Sequence, residues 1–434
     1  MGAGITSIVL VVAMFLFLGS GIWVAISLLA VGYIALEFFT PAPAGSLLAS
    51  TMWDASWNWA LTALPLFIWM GEILSRSRLS EDMFKGLAPW LSWLPGRLLH
   101  VNIVGCGVMA AVAGSSAVTC ATVGRMSIPE LKKRGYDESM SIGTLAGSGT
   151  LGLLIPPSIM LIVYGVIAQQ SISRMFIAGV LPGLMLVLMF MGYVVIWSWL
   201  YPHKTPPSDI RMSLTEKIWS SRKLIPVICL IVAVIGSIYG GIATPTEAAT
   251  LGVIGALVLA KVSGALSWTT FMGSLLAATK TSCMIAFILV TAAFLSIAMG
   301  FTGLPRELAG WVNGLGLSVP MLLCVLTIFF IFLGCFLDGV SMMVLTASVV
   351  LPMVQSAGID LIWFGIYIVI VVEMAQITPP VGFNLFVLQG MTGRDIIQVT
   401  KASIPFFCVM VAGIVVLAVF PEIATFLPKY MVQR

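Results

Sequence analysis

Apolar runs long enough to cross a bilayer recur along the whole chain, among them Ile22 to Phe39, Met175 to Leu200, Leu224 to Tyr239 and Phe406 to Phe420. Polar residues gather between these runs instead of alternating within them. The pattern therefore predicts membrane-crossing helices, since a β-barrel shows alternating segments of about ten residues. Two of the apolar stretches are broken near their middle. The segment GTLGLLIPPSIMLIVYG (149–165) carries Pro156 and Pro157 at its centre, and Thr378-Pro379-Pro380 interrupts another. Proline removes a backbone donor and clashes with the carbonyl one turn back, which costs an interior helix position about 3 kcal/mol. Hydrocarbon offers the freed carbonyls no water, so such a break survives only inside protein or beside a wet cavity. A packing kink is the plain alternative for either break taken alone.

The breaks are related by repetition. A shift of 223 positions lays Pro129 on Pro352, Pro156 on Pro379, Pro157 on Pro380, Pro182 on Pro405, Gly135 on Gly358 and Asp137 on Asp360. Four of the 12 prolines before residue 212 find a proline partner, where a background of about 5% gives roughly 0.6. The chain is read as a duplication, with a polar linker near Tyr201 to Lys223 between its halves.

Charge suggests how the halves are oriented. Arg97 and Lys132-Lys133-Arg134 flank about 35 residues with Gly114-Ser115-Ser116 at their middle. Two basic flanks belong on the cytoplasmic side, so the segment between enters and returns as a re-entrant hairpin. Two full spans are the alternative, although legs of about 17 residues barely reach. Between Arg306 and Arg394 there is no lysine or arginine. A second hairpin there, with Asp338-Gly339-Val340-Ser341 near its tip, has its ends on the periplasmic side, which favours inverted repeats. Arg174, placed outside by this topology, is an exception. Repeats of this kind with broken helices are the architecture of many secondary transporters, whose sites lie near the bilayer midplane.

Composition supports the class: 60% of residues are hydrophobic and 9% charged, against about 25% charged in soluble domains. The expected fold is an all-α polytopic membrane protein. Its parts are N-terminal scaffold helices (1–96), a first transport repeat (97–200), a cytoplasmic linker (201–223), second scaffold helices (224–320), a second transport repeat (321–421) and a C-terminal tail (422–434). The hairpins are expected at about 98–131 and 322–357, and the broken helices at about 139–168 and 360–390. The first 18 residues lack a basic start and a small-residue cleavage site, so they are read as a retained helix. The net charge of +4 reflects cytoplasmic loops and not nucleic-acid binding.

Little in the chain points to catalysis. Cys106, Cys120, Cys229, Cys283, Cys324, Cys335 and Cys408 lie singly in apolar segments, and His100 and His203 have no carboxylates beside them. No HExxH pattern or facing pair of aspartates marks an intramembrane enzyme. A continuous pore suits duplicated broken helices less well than alternating access. Carboxylates within apolar segments are functional candidates by default, here Glu72, Glu247, Asp338 and Glu373. Asp338 either serves the second tip or caps the returning leg. Glu373, five residues before the second break, is expected to brace it through hydrogen bonds. Glu72 and Glu247 read as structural. Ser116, Ser158, Asp338 and Asn384 are the candidate substrate contacts, while Lys280 and Arg125 are basic side chains able to snorkel to an interface. Trp53, Trp57, Trp59, Trp90 and Trp93 read as interfacial anchors.

The order of motifs is specific. Ala63-Leu64-Pro65-Leu66-Phe67 with Met70-Gly71-Glu72, the tip Ala113-Gly114-Ser115-Ser116, Ile128-Pro129-Glu130 with Arg134-Gly135-Tyr136-Asp137, and Leu154-Ile155-Pro156-Pro157-Ser158 stand in the first half. Phe176-Ile177-Ala178-Gly179 with Leu181-Pro182-Gly183, Thr244-Pro245-Thr246-Glu247-Ala248, Asp338-Gly339, Gly358-Ile359-Asp360, Glu373 and Thr378-Pro379-Pro380-Val381-Gly382 with Asn384 come after them. Over nearly its whole length the chain resembles the large membrane subunit of tripartite ATP-independent periplasmic (TRAP) transporters, the DctM-like family. The resemblance implies sodium-gradient-driven uptake of a small organic anion in the bacterial inner membrane by an elevator motion, without ATP hydrolysis. It implies two partners, a periplasmic substrate-binding protein and a small four-helix membrane subunit, and no cofactor beyond Na+ as coupling ion. A related hairpin-type transporter working without a binding protein is the alternative. The family's two sodium sites fall on Ser115, Gly152, Ile155 and Pro157, and on Gly334, Ala375 and Thr378. The chain departs from the pattern at Ala113, where the family usually has serine, and at Ala375, where glycine is common. A carbonyl ligand survives either change; a hydroxyl at position 113 does not.

Overall fold

The computed structural model describes residues 3–77, 79–206, 212–222, 224–305, 307, 310, 314, 317–334, 336–379 and 382–431. Pro380, Val381, Arg306, Cys335 and Lys223 lie outside the described residues. The described part is helical, with no strand. It opens with α1 (Ala3–Gly19), α2 (Val24–Phe39), α3 (Ala44–Ser56), α4 (Ala63–Ser75) and α5 (Leu79–Leu91). The first half continues through α6 (Leu99–Ala113), α7 (Ser116–Lys133), α8 (Glu138–Gly149), α9 (Ile159–Ile167) and α10 (Ile172–Leu200). Then come α11 (Leu214–Ser221), α12 (Ile225–Tyr239), α13 (Pro245–Val262) and α14 (Trp268–Thr302). The second half ends with α15 (Val319–Gly334), α16 (Gly339–Ser356), α17 (Leu361–Gln376), α18 (Phe383–Thr392), α19 (Ile396–Val419) and α20 (Glu422–Lys429). Among the described residues five helices, α10, α13, α14, α16 and α19, are each long and apolar enough to cross a membrane.

The 223-residue repeat reappears in local structure. The outgoing hairpin legs α7 and α16 start and stop at repeat-related residues, Ser116 with Gly339 and Lys133 with Ser356. Beyond each leg, Gly135 and Gly358 take φ of 76° and 72°, a left-handed turn that L side chains rarely adopt. Two residues on, Asp137 and Asp360 cap α8 and α17, accepting at 2.8 Å from the backbone N–H of Met140 and of Trp363. Pro129 and Pro352 lie inside the outgoing legs, and Pro182 and Pro405 inside α10 and α19. Each short motif therefore does in one half what its copy does in the other.

Packing ties the halves by exchange. Each hairpin rests on the broken helix of its own half, while its outgoing leg also packs on the post-break helix of the other: α7 on α18, and α16 on α9. Likewise α8 packs on α19, and α17 on α10. Close approach along α8 depends on absent side chains, since a Cβ at Gly147 falls 2.7 Å from Phe406 of α19. Both tips and both breaks consequently lie within one packed body. A second group forms where α2, α3 and α4 pack along α14, with α4 also against α13. Large apolar side chains such as Leu188 and Val415 stay exposed on the outer helices, and so do Trp53, Trp57, Trp59, Trp90 and Trp93. In a membrane protein those surfaces face lipid and the interface.

Candidate ion and substrate site

At the first break α8 ends at Gly149 and tightens into a 3-10 turn, Thr150–Leu153, before the chain passes Pro156 and Pro157. The hairpin tip docks there through backbone. Gly114 ends α6 in a left-handed conformation with φ 59°, and its carbonyl accepts from Ile159 N–H at 3.3 Å. A Cβ at Gly152 falls 2.6 Å from the Ser115 carbonyl oxygen, and a Cβ at Gly114 falls 2.9 Å from the Pro157 carbonyl. Ser115, Gly152 and Pro157 are thus brought together at the tip. The Ile155 side chain instead packs toward Gly183 of α10. Ser115 leads α7 in extended conformation without a side-chain cap, so its hydroxyl is not engaged in closing the helix. Ser158 is engaged: it donates to the Leu153 carbonyl and accepts from Leu161 N–H at 3.3 Å, capping α9. Ala113 sits against Gly71 of α4, where a Cβ falls 3.0 Å from the Ala113 Cα.

The second break comes after Gln376, the end of α17. Thr378 turns back on it, its hydroxyl donating to the Met374 carbonyl at 2.7 Å and its N–H to the Ala375 carbonyl at 3.2 Å. The Thr378 carbonyl accepts from Gly382 N–H at 3.0 Å. A Cβ at Gly382 falls 2.7 Å from both the Gln376 and Thr378 carbonyl oxygens, so two acceptors converge there. Each carbonyl has a second lone pair open to a cation. A Cβ at Gly334 overlaps the Ala375 methyl, which brings Gly334, Ala375 and Thr378 together. Asp338 is exposed and caps α16, accepting from Val340 and Ser341 N–H at 3.1 and 3.2 Å and from the Ser341 hydroxyl.

Between the two breaks, residues far apart in sequence meet. Asn384 of α18 donates from Nδ2 to the Ser116 hydroxyl of α7 at 2.6 Å, with both side chains buried. Glu373 of α17 faces the same hydroxyl and is 1% exposed. It does not brace its own break as the sequence suggested, for the side chain its carboxyl meets is Ser116 of the other half. Sequence reasoning missed this meeting. One signal was available: the shift of 223 pairs Glu373 with neutral Thr150, so one repeat carries a carboxylate where the other has a hydroxyl.

The other intramembrane candidates are local. Glu72 pairs with Arg76 at 3.0 Å on one face of α4. Glu247 is not embedded in an apolar segment but opens α13 in a capping box with Thr244, its backbone N–H accepted at 3.4 Å by the Thr244 hydroxyl and its carboxylate accepting from Thr244 N–H at 2.8 Å. Lys280 and Arg125 are exposed.

A family model described as "Tripartite ATP-independent periplasmic transporter, DctM component" matches residues 11–423. The chain is 31% identical over 401 residues to the C4-dicarboxylate TRAP transporter large permease protein DctM of Pseudomonas aeruginosa, covering 92% of this chain and 93% of that one. It is also 31% identical over 418 residues to the isethionate TRAP transporter permease protein DctMQ of Oleidesulfovibrio alaskensis, covering 95% of this chain and 65% of that one. Among solved structures, the YdaH transporter of Alcanivorax borkumensis superposes with a TM-score of 0.65 at 14% identity, over 96% of this chain and 99% of that one. That last likeness concerns the fold alone.

Proposed function

The chain belongs to the DctM-component family of tripartite ATP-independent periplasmic transporters, and from that premise we propose that sodium ions bound at its two tip-and-break assemblies drive uptake of a small organic anion. It is a multi-pass permease subunit of the bacterial inner membrane, for secondary transport of organic acids, and not an enzyme. The observation that carries the sodium reading is the repetition. Gly152 and Ala375, 223 positions apart, each meet a hairpin at its tip, beside backbone carbonyls released by a proline break. Unwound carbonyls of this kind are the usual cation ligands of inverted-repeat transporters. We assign Ser115, Gly152, Ile155 and Pro157 to the first ion and Gly334, Ala375 and Thr378 to the second.

In this reading the two repeats are inverted in the membrane and form the moving body, while α2, α3, α4, α13 and α14 form the scaffold against which it slides. The anion occupies the seam between the repeats, beside Ser116 and Asn384, because the Ser158 hydroxyl and Asp338 carboxylate are taken up by helix caps. A periplasmic binding protein delivers the anion and a small four-helix subunit supports the scaffold. The relative named DctMQ accords with such a partnership.

The test needs no knowledge of cargo. The chain with its small partner subunit is purified, and its thermal stability is compared in sodium, potassium and choline salts at equal ionic strength. A ligand that binds only the folded state raises stability by RT ln(1 + [L]/Kd), about 2.7 kcal/mol at a roughly hundredfold excess over Kd. The expected result is a saturable rise unique to sodium that Thr378→Ala weakens. Equal stability in the three salts removes the sodium reading.

A further inference from the structure

Arg174, the charge that the expected topology sets apart, stands in the first turn of α10 beside a cavity of about 590 Å³ that shares no residue with the ion and substrate site. That volume falls within the roughly 300–1,000 Å³ usual for ligand pockets. Four charged side chains line it: Arg174, Asp360, Glu422 and Lys429. Among the described residues none of the four forms an ion pair. The Arg174 Nε is buried and has no hydrogen-bond partner. An arginine that only reached for water would keep its whole guanidinium there, and a sealed donor costs stability until something accepts from it. Asp360 spends Oδ1 on the N–H of Trp363 at 2.8 Å, and its carboxylate takes no other partner among the described residues. Glu422 and Lys429 are exposed.

The repeat-related place in the other half shows such charges satisfied from within. The shift of 223 lays Asp137 on Asp360. Asp137 pairs with Lys204 of the linker at 3.3 Å, and Glu138 beside it pairs with Arg394, just before α19. Arg174 itself falls on Ile397, so the other repeat has no such cation. One end is thus closed by its own ion pairs, while the other holds two cations and two carboxylates apart around a space. A ligand of a single sign meets two repelling groups there, whichever sign it carries. A ligand bearing both signs is the complement.

Position says which ligand. Helices α10, α15 and α17 begin at this cavity and α19 ends there. Both α10 and α19 are long and apolar enough to cross a membrane, so their ends lie at the level of lipid headgroups. The helix that carries Glu422 and Lys429, α20, packs on α10. Phe426 on it and Tyr430 just after it, 5.0 Å apart, stay exposed, as aromatic residues do at a membrane surface. Val319 of the lining is exposed too. We propose that the cavity binds the headgroup of a zwitterionic phospholipid of the phosphatidylethanolamine class, with Arg174 and Lys429 on the phosphate and Asp360 and Glu422 on the ammonium. Guanidinium and lysine groups donate charge-assisted hydrogen bonds to phosphate oxygens, and an ammonium has three protons for carboxylates to accept. The acyl chains lie along the apolar outer surface, where Val325 of α15 and Val415 of α19 are exposed. Because α10 belongs to the first repeat and α15, α17 and α19 to the second, one bound lipid bridges the two.

The experiment uses the full chain with its small partner subunit, delipidated in detergent. Phosphatidylethanolamine, phosphatidylglycerol and soluble glycerophosphoethanolamine are titrated onto wild type, Arg174→Gln and Glu422→Gln, and binding is read by native mass spectrometry and by thermal stability. Phosphatidylglycerol carries the same phosphate without the ammonium. Wild type is expected to bind phosphatidylethanolamine about tenfold more tightly than phosphatidylglycerol, the scale of one hydrogen bond to a charged group. Arg174→Gln weakens both lipids by a similar factor. Glu422→Gln weakens phosphatidylethanolamine and leaves phosphatidylglycerol unchanged or tighter, a split that loss of packing does not produce. Should Arg174→Gln fail to fold, Lys429→Gln, at an exposed position, carries the same expectation. Phosphatidylglycerol bound as tightly as phosphatidylethanolamine, or phosphatidylethanolamine bound equally by wild type and the variants, overturns the proposal. Glycerophosphoethanolamine that binds as tightly as the lipid overturns the membrane as the source and assigns the cavity to a soluble zwitterion. None of these readouts depends on sodium or on the transported anion, so the proposed function stands or falls separately.

Discussion

At the first hairpin tip the turn is made by backbone. Gly114 adopts φ 59°, Ser115 heads α7 without a side-chain cap, and the glycine that permits close docking, Gly152, belongs to the broken helix. At the second tip a side chain closes the helix, with Asp338 accepting from two N–H groups of α16, and the permissive glycine, Gly334, belongs to the hairpin and faces the Ala375 methyl. The repeat-related residues Gly152 and Ala375 thus meet different parts of their hairpins, the first the start of the outgoing leg and the second the end of the incoming one. The tips also differ in where polarity is spent. The Ser115 hydroxyl takes no part in closing its helix, whereas the Asp338 carboxylate is consumed in doing so. Equivalent positions in a duplicated protein thus need not share a role.

The largest effect expected from this contrast is at the docking glycines. Gly152→Ala puts a methyl 2.6 Å from the Ser115 carbonyl and 2.7 Å from the Ser116 Cα, both backbone. Such overpacking is expected to cost about 3 kcal/mol by thermal or denaturant unfolding. Gly334→Ala meets the Ala375 methyl instead, so the double variant with Ala375→Gly recovers most of the loss, and a double-mutant cycle reads the coupling. Absence of that recovery breaks the picture of the second tip. Next in size is the cap. Asp338→Ala is expected to lose about 1 kcal/mol of stability, whereas Ser115→Ala leaves stability in choline salts near wild type and reduces the gain on adding sodium. The reverse outcome exchanges the roles assigned to the tips.

The smallest effect concerns a contact between the halves at their polar edge, the ion pair of Glu138 with Arg394, both partly in water. Hydrogen bonding from Arg394 holds the Glu138 carboxyl below its ordinary value of 4.5. A carboxyl lowered in the folded state stabilises fully above its unfolded value and loses that contribution as pH falls through the folded value. Glu138→Gln is therefore expected to melt slightly earlier than wild type between about pH 6 and 8, with the gap closing below the ordinary glutamate value. A gap independent of pH assigns the effect to packing.

Much of the frame was legible because it is written in residues with local consequences. Proline breaks a helix wherever it sits, Gly135 and Gly358 mark left-handed turns, and Asp137 and Asp360 cap the helices beyond them, so the duplication could be read from letters alone. The Thr244-to-Glu247 capping box was equally local, yet hydrophobic surroundings made Glu247 look embedded. The seam was not legible. Ser116 and Asn384 are 268 residues apart and meet only because the outgoing leg of one half packs on the post-break helix of the other. No periodicity encodes that exchange, and without it the surroundings of Glu373 stay hidden.

One long element sets a scale for everything beside it. The 35 residues of α14 make a rod of about 52 Å at 1.5 Å per residue, far longer than the roughly 30 Å hydrocarbon core. Lys280 stands exposed about a third of the way along, and the remaining ~22 residues, to Thr302, span close to 33 Å. A lysine at that point divides the rod: before it Trp268 and Phe271 stack 5.7 Å apart, and the part beyond it matches one bilayer thickness in length. Because α2, α3 and α4 pack along this rod and α16 touches it too, a single helix is the common ruler for the opening helices of the chain and for the second hairpin.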